Sequence, residues 1–505
     1  MANIMSKRGT QDNVITYEHY CDTKADLANI PKDQITLGST AVVLQDEDGS
    51  LGVYIAGSDK QWIAVAMSGG SDSGSGEGSS SSDGLKDFLE NNFSTFENSD
   101  VTKLRYNAFA MNKQLEEISL PNCSIINGGA FANCTALTSV DFPTLERIEG
   151  PEITQQESLI WDYYTSTSSI VMVTVKGPGA FQGCTSIESI DLPLCSYIGS
   201  DAFLNYGPGQ YGYGYLSNPN LKSVNLPECK TIENRAFYMC TGLNSLNAPK
   251  VETIGESAFT SCTSLTIADF PLATSVASNA FCSCYLLSTI NMPNLEVIGV
   301  SAFTLDSSIT TINFPKCKTF EMMASSAYLG SSYNMYIGHA FGGCSNLSTV
   351  SLPECEVIAP ATFSNCSSIT ELSFPKVSLV YSNAFRGCTS LTQITFNETV
   401  TFSTAWSMYV NVGPTVDVTF ETFYNCTNLQ SIYLLGSSVC TFNINDPQYS
   451  YKINAGTLFG NTPIRNSSYL GYYGSIYVPE SLVEEYQNAP GWSAFSERIT
   501  AYTGE

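Results

Sequence analysis

The chain has 505 residues and a formal net charge of -25, with 22 Lys and Arg against 47 Asp and Glu. Such acidity argues against a nucleic-acid partner, which requires a basic stripe to neutralise phosphates, and against an anionic membrane surface. Because no run of 18 or more apolar residues is present, we expect no membrane insertion. We interpret the acidity as a solubility feature, with an acidic binding site as the alternative.

Residues 1–67 are predicted to form a small β-rich domain. The segment 34–67 reads as three short strands, since Asp48-Gly49 and residues 57–59 supply turns between apolar stretches. The first 20 residues lack the apolar region of a secretory signal, so we expect synthesis in the cytoplasm without signal-directed export.

Residues 68–84, "SGGSDSGSGEGSSSSDG", have the composition of a flexible linker. The amphipathic segment at 85–105 is then expected to cap the first coil of a repeat domain, because the open end of a repeat array must be covered. We place that repeat domain at 85–470.

A repeat marked by phenylalanine, usually preceded by alanine, governs the repeat domain. Each unit reads approximately A-F-x-x-C-x-x-L-x-x-I-x-L-P-x-x-x-x-I, and most steps between markers are 22 residues. A fixed period of this size predicts a solenoid, in which stacking of neighbouring units supplies the core. The markers are Phe109, Phe131, Phe181, Phe203, Phe237, Phe259, Phe281, Phe303, Phe341, Phe363, Phe385, Phe423 and Phe459.

The L-x-x-I-x-L-P part of each unit is the predicted strand, as in residues 137–143, 221–227, 287–293 and 347–353. The proline ends the strand because it cannot donate to a ladder. Parallel stacking of these strands would give a ribbon with a solvated outer face of small polar residues. That face would carry Ser119, Asp141, Asp191, Asn225, Asn247, Asp269, Asn291, Asn313, Ser351, Ser373, Thr395 and Tyr433.

Fourteen of the 17 cysteines share two phases of the repeat, so we interpret them as reduced packing residues in inward ladders. Asp306 and Asn112 replace cysteine in two units, which argues against obligatory disulfides. With two histidines and no C-x-x-C pair, no metal site is expected. The phased residues are Cys134, Cys184, Cys240, Cys262, Cys284, Cys344, Cys366, Cys388 and Cys426, and Cys123, Cys195, Cys229, Cys317 and Cys355.

Residues 471–505 change character and predict a C-terminal strand-helix cap. A strand at 476–478 leads into a helix, "ESLVEEYQNA", which Pro490-Gly491 stops, and Trp492 and Phe495 are expected to cover the last coil.

The repeat consensus, together with "YVPESLVEEYQNAPGWSAF" near the end of the chain, resembles the BspA-like leucine-rich repeat family over about residues 100–505. The resemblance implies a leucine-rich-repeat right-handed coil with a parallel β-sheet face, an α/β-type solenoid. Members of that family include cell-surface proteins implicated in adhesion and phage-encoded proteins. It implies no catalytic residue and no cofactor.

Residues 1–67 resemble N-terminal modules of virion structural proteins in phages of gut bacteria. The resemblance implies a virion-anchoring module that contacts other virion proteins, on the capsid or the tail. We therefore expect a head or tail fibre protein on the virion surface that is homo-oligomeric and recognises a bacterial surface or mucosal glycan or protein. The alternatives are a bacterial cell-surface adhesin and a virion-associated glycan depolymerase.

Five long steps interrupt the repeat, near 149–178, 204–216, 321–337, 401–418 and 441–455, and they are rich in Tyr, Ser, Gly and Asn. This composition favours ligand binding, since aromatic rings give contact area at low entropic cost. Subunit contact and packed excursions, such as a hairpin at 169–177, are the alternatives. The four insertions that follow a strand should emerge along one rim. The candidate ligand-binding residues are Trp161, Tyr163, Tyr164, Tyr211, Tyr213, Tyr215, Tyr328, Tyr333, Tyr336, Trp406, Tyr409, Tyr449 and Tyr451.

Overall fold

The computed structural model describes most of the repeat domain and parts of the N-terminal region. The described residues are 5–11, 14–23, 27, 30, 40–45, 52–56, 62–66, 94–99, 101–104, 106–151, 153–162, 167–176, 178–204, 219–322, 339–403, 417–443, 452–454, 457–466 and 471–504. The chain divides into two compact units, Met1–Leu243 and Asn244–Glu505. The linker predicted at 68–84 and residues 85–93 of the predicted cap lie outside the described residues.

A five-stranded sheet in the order β1-β2-β3-β4-β5 forms the N-terminal region. The three strands predicted in 34–67 are confirmed as β3, β4 and β5, and two earlier strands join them. Neighbouring strands pair antiparallel except β2 and β3, which are parallel. The strands are β1 (Met5–Gln11), β2 (Val14–Thr23), β3 (Thr40–Gln45), β4 (Gly52–Ala56) and β5 (Trp62–Ala66).

In the repeat domain each coil contributes a short strand to a first parallel ladder. Paired residues share one repeat phase, as Ser119 with Asp141 and Thr395 with Tyr433 do, so the ladder keeps side chains of one column on one face. The predicted strands before the prolines are thus confirmed. In residues 1–243 the ladder strands are β6 (Thr95–Glu97), β8 (Glu117–Ser119), β10 (Ser139–Asp141), β14 (Ser189–Asp191) and β16 (Ser223–Asn225).

The first ladder of residues 244–505 has longer strands toward its C-terminal end. The last five of them form one sheet, in the order β28-β30-β33-β36-β37. The strands are β18 (Ser245–Asn247), β20 (Ile267–Asp269), β22 (Thr289–Asn291), β24 (Thr311–Asn313), β26 (Thr349–Ser351), β28 (Glu371–Phe374), β30 (Gln393–Phe396), β33 (Ser431–Leu434), β36 (Ser475–Pro479) and β37 (Ile499–Tyr502).

A second ladder of strands, mostly two residues long, follows the first-ladder strands from β6 to β33, at the last apolar position of the repeat. Its buried residues, such as Ile126 and Ile148, point into the core. In residues 1–243 its strands are β7 (Lys103–Leu104), β9 (Ile125–Ile126), β11 (Arg147–Ile148), β15 (Tyr197–Ile198) and β17 (Thr231–Ile232). In residues 244–505 they are β19 (Thr253–Ile254), β21 (Ser275–Val276), β23 (Val297–Ile298), β25 (Thr319–Phe320), β27 (Val357–Ile358), β29 (Leu379–Tyr381), β31 (Thr401–Ser403) and β34 (Thr441–Asn443).

The marker phenylalanines form a stack inside each unit. Phe281 and Phe303, for example, have ring centroids 5.3 Å apart and an interplanar angle of 1°. The N–H of most marker residues donates to the carbonyl of the residue before the next marker, as Phe281 does to Ala302 at 2.8 Å. Burying one such side chain contributes about 1.5–3 kcal/mol, and an aromatic pair adds about 0.5–1.5 kcal/mol. The stack is therefore the main axis of the core.

The turn around each marker needs a left-handed residue two positions after the phenylalanine. Asn133 has φ 60° and Gly183 has φ 75°, and Cys134 N–H donates to the Phe131 carbonyl across this turn. A hydrogen-bonded turn with positive φ at its third residue is type II, which favours Gly and Asn there. This requirement explains why "AFANC" and "AFQGC" recur at the same phase.

The phased cysteines are buried and free, which confirms their interpretation as reduced packing residues. They also donate hydrogen bonds: Cys134 Sγ lies 2.9 Å from the Phe109 carbonyl, and Cys388 Sγ lies 3.2 Å from the Phe363 carbonyl. The second column bonds within its own coil, as Cys123 Sγ does to the Ile125 carbonyl at 3.5 Å. The thiols thus tie neighbouring turns together as well as filling the core.

A strand, a short helix and two 3-10 segments close the C-terminal end. After β36, a 3-10 turn (Glu480–Leu482), helix α1 (Val483–Asn488) and a 3-10 segment (Trp492–Arg498) bring Trp492 and Phe495 into the core. Trp492 Nε1 donates to the Cys440 carbonyl at 2.6 Å, and Cys440 N–H donates to the Tyr486 hydroxyl at 2.9 Å. The cap satisfies the open backbone of the last second-ladder coil. The terminal strand β37 is an addition to the prediction.

Candidate functional site on the outward face of the first ladder

The outward face of the first ladder is the surface that the repeat presents most regularly. In residues 1–243 two of its carboxylates, those of Asp141 and Asp191, are bonded to neighbours one coil away. Ser119 Oγ donates to Asp141 Oδ2 at 2.7 Å, and Asn225 Nδ2 donates to Asp191 Oδ1 at 2.8 Å. Because both carboxylates accept from polar side chains along a strand-face column, their arrangement is that of a hydrogen-bonded ladder. A hydrolytic pair would face each other across a cleft.

In residues 244–505 the same face is made mainly of hydroxyl and amide side chains. Asn291 Nδ2 donates to Asp269 Oδ1 at 2.7 Å. At the residue before three of the strands, a hydroxyl donates to the carbonyl of the previous coil, as Ser288 does to Thr266 at 3.3 Å. These bonds hold the polar groups in register with the strands, which are spaced about 4.8 Å apart.

Toward its C-terminal end this face changes from small polar residues to tyrosines. Tyr433 and Tyr477 are partners on β33 and β36, and their rings stack with centroids 4.7 Å apart and an interplanar angle of 11°. Tyr502 of β37 packs edge-on to Tyr433, with centroids 5.7 Å apart and an angle of 81°. We call Tyr433, Tyr477 and Tyr502 the tyrosine platform.

The platform is accessible from solvent. The Tyr502 residue is 38% exposed, and Tyr433 and Tyr477 are half-buried. Alternation along β33 explains this orientation, since Ile432 and Leu434 point into the core and leave Tyr433 outward. The rings therefore cover no core element and form an amphipathic surface patch.

The outward strand positions around the platform carry little charge, although the chain is strongly acidic; charged residues flank these strands at Glu480 and at the Glu497–Arg498 pair. On the outward positions of β28, β30, β33, β36 and β37, Glu371 is the single charged side chain. The uncharged outward-facing residues around the platform are Ser373, Gln393, Thr395, Ser431, Ser475, Pro479 and Thr500. The patch thus combines aromatic area with neutral hydrogen-bonding groups.

The thiols are unsuited to reaction. Burial raises the pKa of Cys123 to about 11 and the pKa of Cys134 and Cys388 to about 12, so the nucleophilic thiolate is scarce at neutral pH. Within the described part of the chain no three His, Cys, Asp or Glu side chains are grouped as metal ligands. Nor does that part contain a helix with the length and apolarity to span a bilayer.

Of the sequence-predicted ligand residues, Trp161 alone lies among the residues that the structure describes. Trp161 belongs to β12 (Ile153–Asp162), where it pairs with Ser168 of β13 (Thr167–Lys176). This insertion is an antiparallel hairpin, but its two strands span Ile153–Asp162 and Thr167–Lys176, whereas the sequence alternative placed a hairpin at 169–177. Outside the described residues lie Tyr163, Tyr164, Tyr211, Tyr213, Tyr215, Tyr328, Tyr333, Tyr336, Trp406, Tyr409, Tyr449 and Tyr451.

Two of the insertions are flanked by paired strands, both where they begin and where they end. Strands β31 and β34, which precede them, are parallel neighbours, and so are β32 (Asp417–Thr419) and β35 (Lys452–Asn454), which follow them. The segments 404–416 and 444–451 therefore leave from adjacent coils and re-enter at adjacent strands.

Sequence reasoning recognised Tyr433 as the last member of the polar column but interpreted that column as a solvated face. It did not single out Tyr477 or Tyr502. The available signal was a tyrosine at the outward phase of "SIYL" and "SIYV", where earlier units carry Asn, Asp, Ser or Thr.

A family profile, "BspA type Leucine rich repeat region (6 copies)", matches residues 86–151, 102–208, 211–334 and 332–412, which together span more than half of the chain. No curated protein matches the chain.

Among solved structures, a leucine rich cell surface protein from Faecalibacterium prausnitzii is 17% identical with a TM-score of 0.28, covering 69% of this chain and 84% of that one. The leucine rich repeat protein of T. pallidum is 24% identical with a TM-score of 0.22, over 34% of this chain and 77% of that one. A leucine-rich repeat protein from Eubacterium ventriosum is 15% identical with a TM-score of 0.22, and the match covers 69% of this chain and 95% of that one.

Proposed function

Because this chain belongs to the BspA type leucine-rich repeat family, we propose that it is a non-catalytic adhesion protein that binds a surface ligand through the outward face of its first ladder. The observation that carries this proposal is the division of chemistry between the two sides of the repeat. Its phased thiols are buried and protonated, whereas its outward face presents ordered polar groups and tyrosines to solvent. Such a surface is built to bind and has no activated nucleophile.

The face also has the form that extended recognition requires. Repeat arrays use long regular surfaces for binding, and tyrosines give rigid contact area beside adaptable hydroxyls and amides. The aromatic insertions would add specificity, with segments 404–416 and 444–451 contributing together because they leave from paired strands.

We further propose display on a virion surface, with residues 1–67 docking to other virion proteins and with oligomerisation supplying avidity. The compact five-stranded sheet of residues 5–66 would serve as that docking module. The second candidate, a bacterial cell-surface adhesin, is favoured by the family match of residues 86–412 and uses the same binding face.

Retention of the purified full chain on intact bacteria and on mucin-coated plates tests the adhesion function. We expect saturable retention on at least one of these surfaces, with no new reducing ends released from capsular glycans. No retention on any surface, or release of reducing ends, would overturn the proposal.

Mass spectrometry of purified phage particles and of bacterial surface fractions tests the site of display. Recovery of the chain with particles supports the virion, whereas recovery only with the bacterial surface fraction supports the bacterial adhesin.

A further inference from the structure

At the tyrosine platform the outward face carries tyrosines in place of the small polar residues of earlier units. Its three tyrosines come from three separate strands. Register places Ser373, Thr395, Tyr433 and Tyr477 in one column on consecutive strands, with Thr500 as the next partner. A chain lying along this column would thus pass from hydroxyls to aromatic rings at intervals of one strand spacing, about 4.8 Å.

The charge of the patch constrains its occupant. In a chain of net charge -25, a site for a cationic partner would be lined by carboxylates. The outward positions of β30, β33, β36 and β37 instead carry no charged side chain, and Glu371 lies on β28, two strands from Tyr433. The patch therefore fits an uncharged ligand.

The chemistry of the platform narrows the ligand class further. Tyr433 and Tyr477 present stacked ring edges and hydroxyls, and Tyr502 turns its ring perpendicular to Tyr433. A tyrosine side chain joins an apolar ring to one hydrogen-bonding hydroxyl. It therefore complements a sugar ring, which has an apolar C–H face and hydroxyls around its edge. A polymer of such rings would also meet the hydroxyl and amide groups of Gln393, Thr395 and Thr500.

We propose that the tyrosine platform and its adjoining polar column bind a neutral polysaccharide in an extended conformation. The inference rests on the proposed adhesion function and names the ligand class of that face. Aromatic contact would supply most of the affinity, and the hydroxyl and amide column would fix the direction of the glycan chain.

Titration calorimetry of the full chain against soluble β-glucan, α-mannan and dextran tests this proposal, with alginate, chitosan and poly-lysine as charged probes. We expect binding to at least one neutral polymer with an affinity that changes little between low and high salt, because no charge pair is involved. Binding only to the charged probes, with loss at high salt, would overturn the proposal in favour of a charged partner. No binding to any neutral polymer would also overturn it.

Variants locate the site. We expect Tyr477→Ala to weaken binding by about tenfold, which corresponds to about 1.4 kcal/mol, since truncating an aromatic anchor of a binding surface costs this much or more. Tyr477→Phe keeps the stacked ring, so we expect it to lose less binding affinity than Tyr477→Ala. Tyr285→Ala is the control, because Tyr285 is a solvent-exposed tyrosine, at 46%, that follows the marker turn of another coil. Equal loss in Tyr285→Ala, or unchanged binding in Tyr477→Ala with an unchanged melting temperature, would contradict the assignment.

The failure of this proposal can be separated from failure of the adhesion function. If the chain adheres to cells but binds no neutral polymer, the ligand assignment is wrong and adhesion stands. If it binds a neutral polymer but adheres to no cell or mucin surface, the ligand assignment stands and the adhesion function is wrong.

Discussion

The backbone N–H of Cys284 donates a hydrogen bond of 2.7 Å to the Asp306 carboxylate, one coil further along the chain. Asp306 occupies the phase that other units give to cysteine, and it is fully buried. Its second oxygen, Oδ2, has no hydrogen-bond partner among the described residues. Burial raises the pKa of this carboxyl well above its usual range. Asp306 therefore destabilises the fold at a position where other units carry a hydrogen-bonded cysteine.

Replacing Asp306 with cysteine should stabilise the protein. Thiols in this column donate to the phenylalanine carbonyl 25 residues earlier, as Cys366 does to Phe341, so the introduced thiol would reach the Phe281 carbonyl. Removing one unsatisfied buried oxygen is worth about 1–3 kcal/mol. Chemical denaturation of Asp306→Cys against the wild type, both in reductant, measures the change. A lower midpoint in the variant would contradict the interpretation of Asp306 as destabilising.

The destabilisation of the folded state by Asp306 should increase as the pH rises. The folded state holds this proton above the ordinary pKa of 3.8, whereas the unfolded state releases it near that value. The folded state then binds more protons, so stability falls as the pH rises from about 4 toward the folded pKa. Asp306→Asn does not titrate at this position, so its melting temperature relative to wild type should rise across this window. A constant difference from acid to neutral pH would disprove the linkage.

The cysteine phases illustrate what the sequence could predict. A position that recurs every 22 residues stacks on its counterpart, so burial of Cys366 and Cys388 follows from the period alone. The second ladder was not predicted, because strands of two residues such as Thr231–Ile232 show no alternation to read. Strand β37 lies beyond the periodic region, and its pairing with β36 depends on contacts made after the intervening helix.

The tyrosine platform needed three-dimensional information for a related reason. Tyr433 and Tyr477 are separated by an irregular step and by the segment 444–451, so the repeat does not place them in one column. Only the strand pairing of β33 with β36 does so. A hairpin was an alternative only at 169–177, whereas β12 and β13 pair over Ile153–Asp162 and Thr167–Lys176.

Native thiols of the repeat should resist alkylation. Cys134 and Cys388 are fully buried, and the pKa of each is about 12, so both access and ionisation are denied. Half-buried Cys282 provides the internal comparison. Brief iodoacetamide treatment followed by peptide mass spectrometry should label Cys282 well before either, and denaturant should expose all three. Rapid native labelling of Cys134 or Cys388 would contradict the buried ladder.

Truncating Trp492 should loosen the C-terminal coils selectively. The ring packs on Phe442 with centroids 5.2 Å apart, and Nε1 bonds to the Cys440 carbonyl. Trp492→Ala should cost about 3–5 kcal/mol locally. Because neighbouring coils stabilise one another, hydrogen exchange should accelerate in β33, β34 and β36 and little in β20 and β22. Trp492→Phe is the control that loses chiefly the hydrogen bond. Uniform acceleration over residues 244–505 would argue against a local cap.

The most direct test of the adhesion account is a comparison of two arginine variants of the full chain on a bacterial or mucin surface that retains the wild type. Thr395→Arg places a long cation on the outward face beside Tyr433, its strand partner. Thr389→Arg adds the same charge at an exposed position after the marker turn. With equal melting temperatures, retention should be lost in Thr395→Arg and kept in Thr389→Arg. Full retention of Thr395→Arg, or equal loss in both variants, would show that the outward face of the first ladder is not the binding surface.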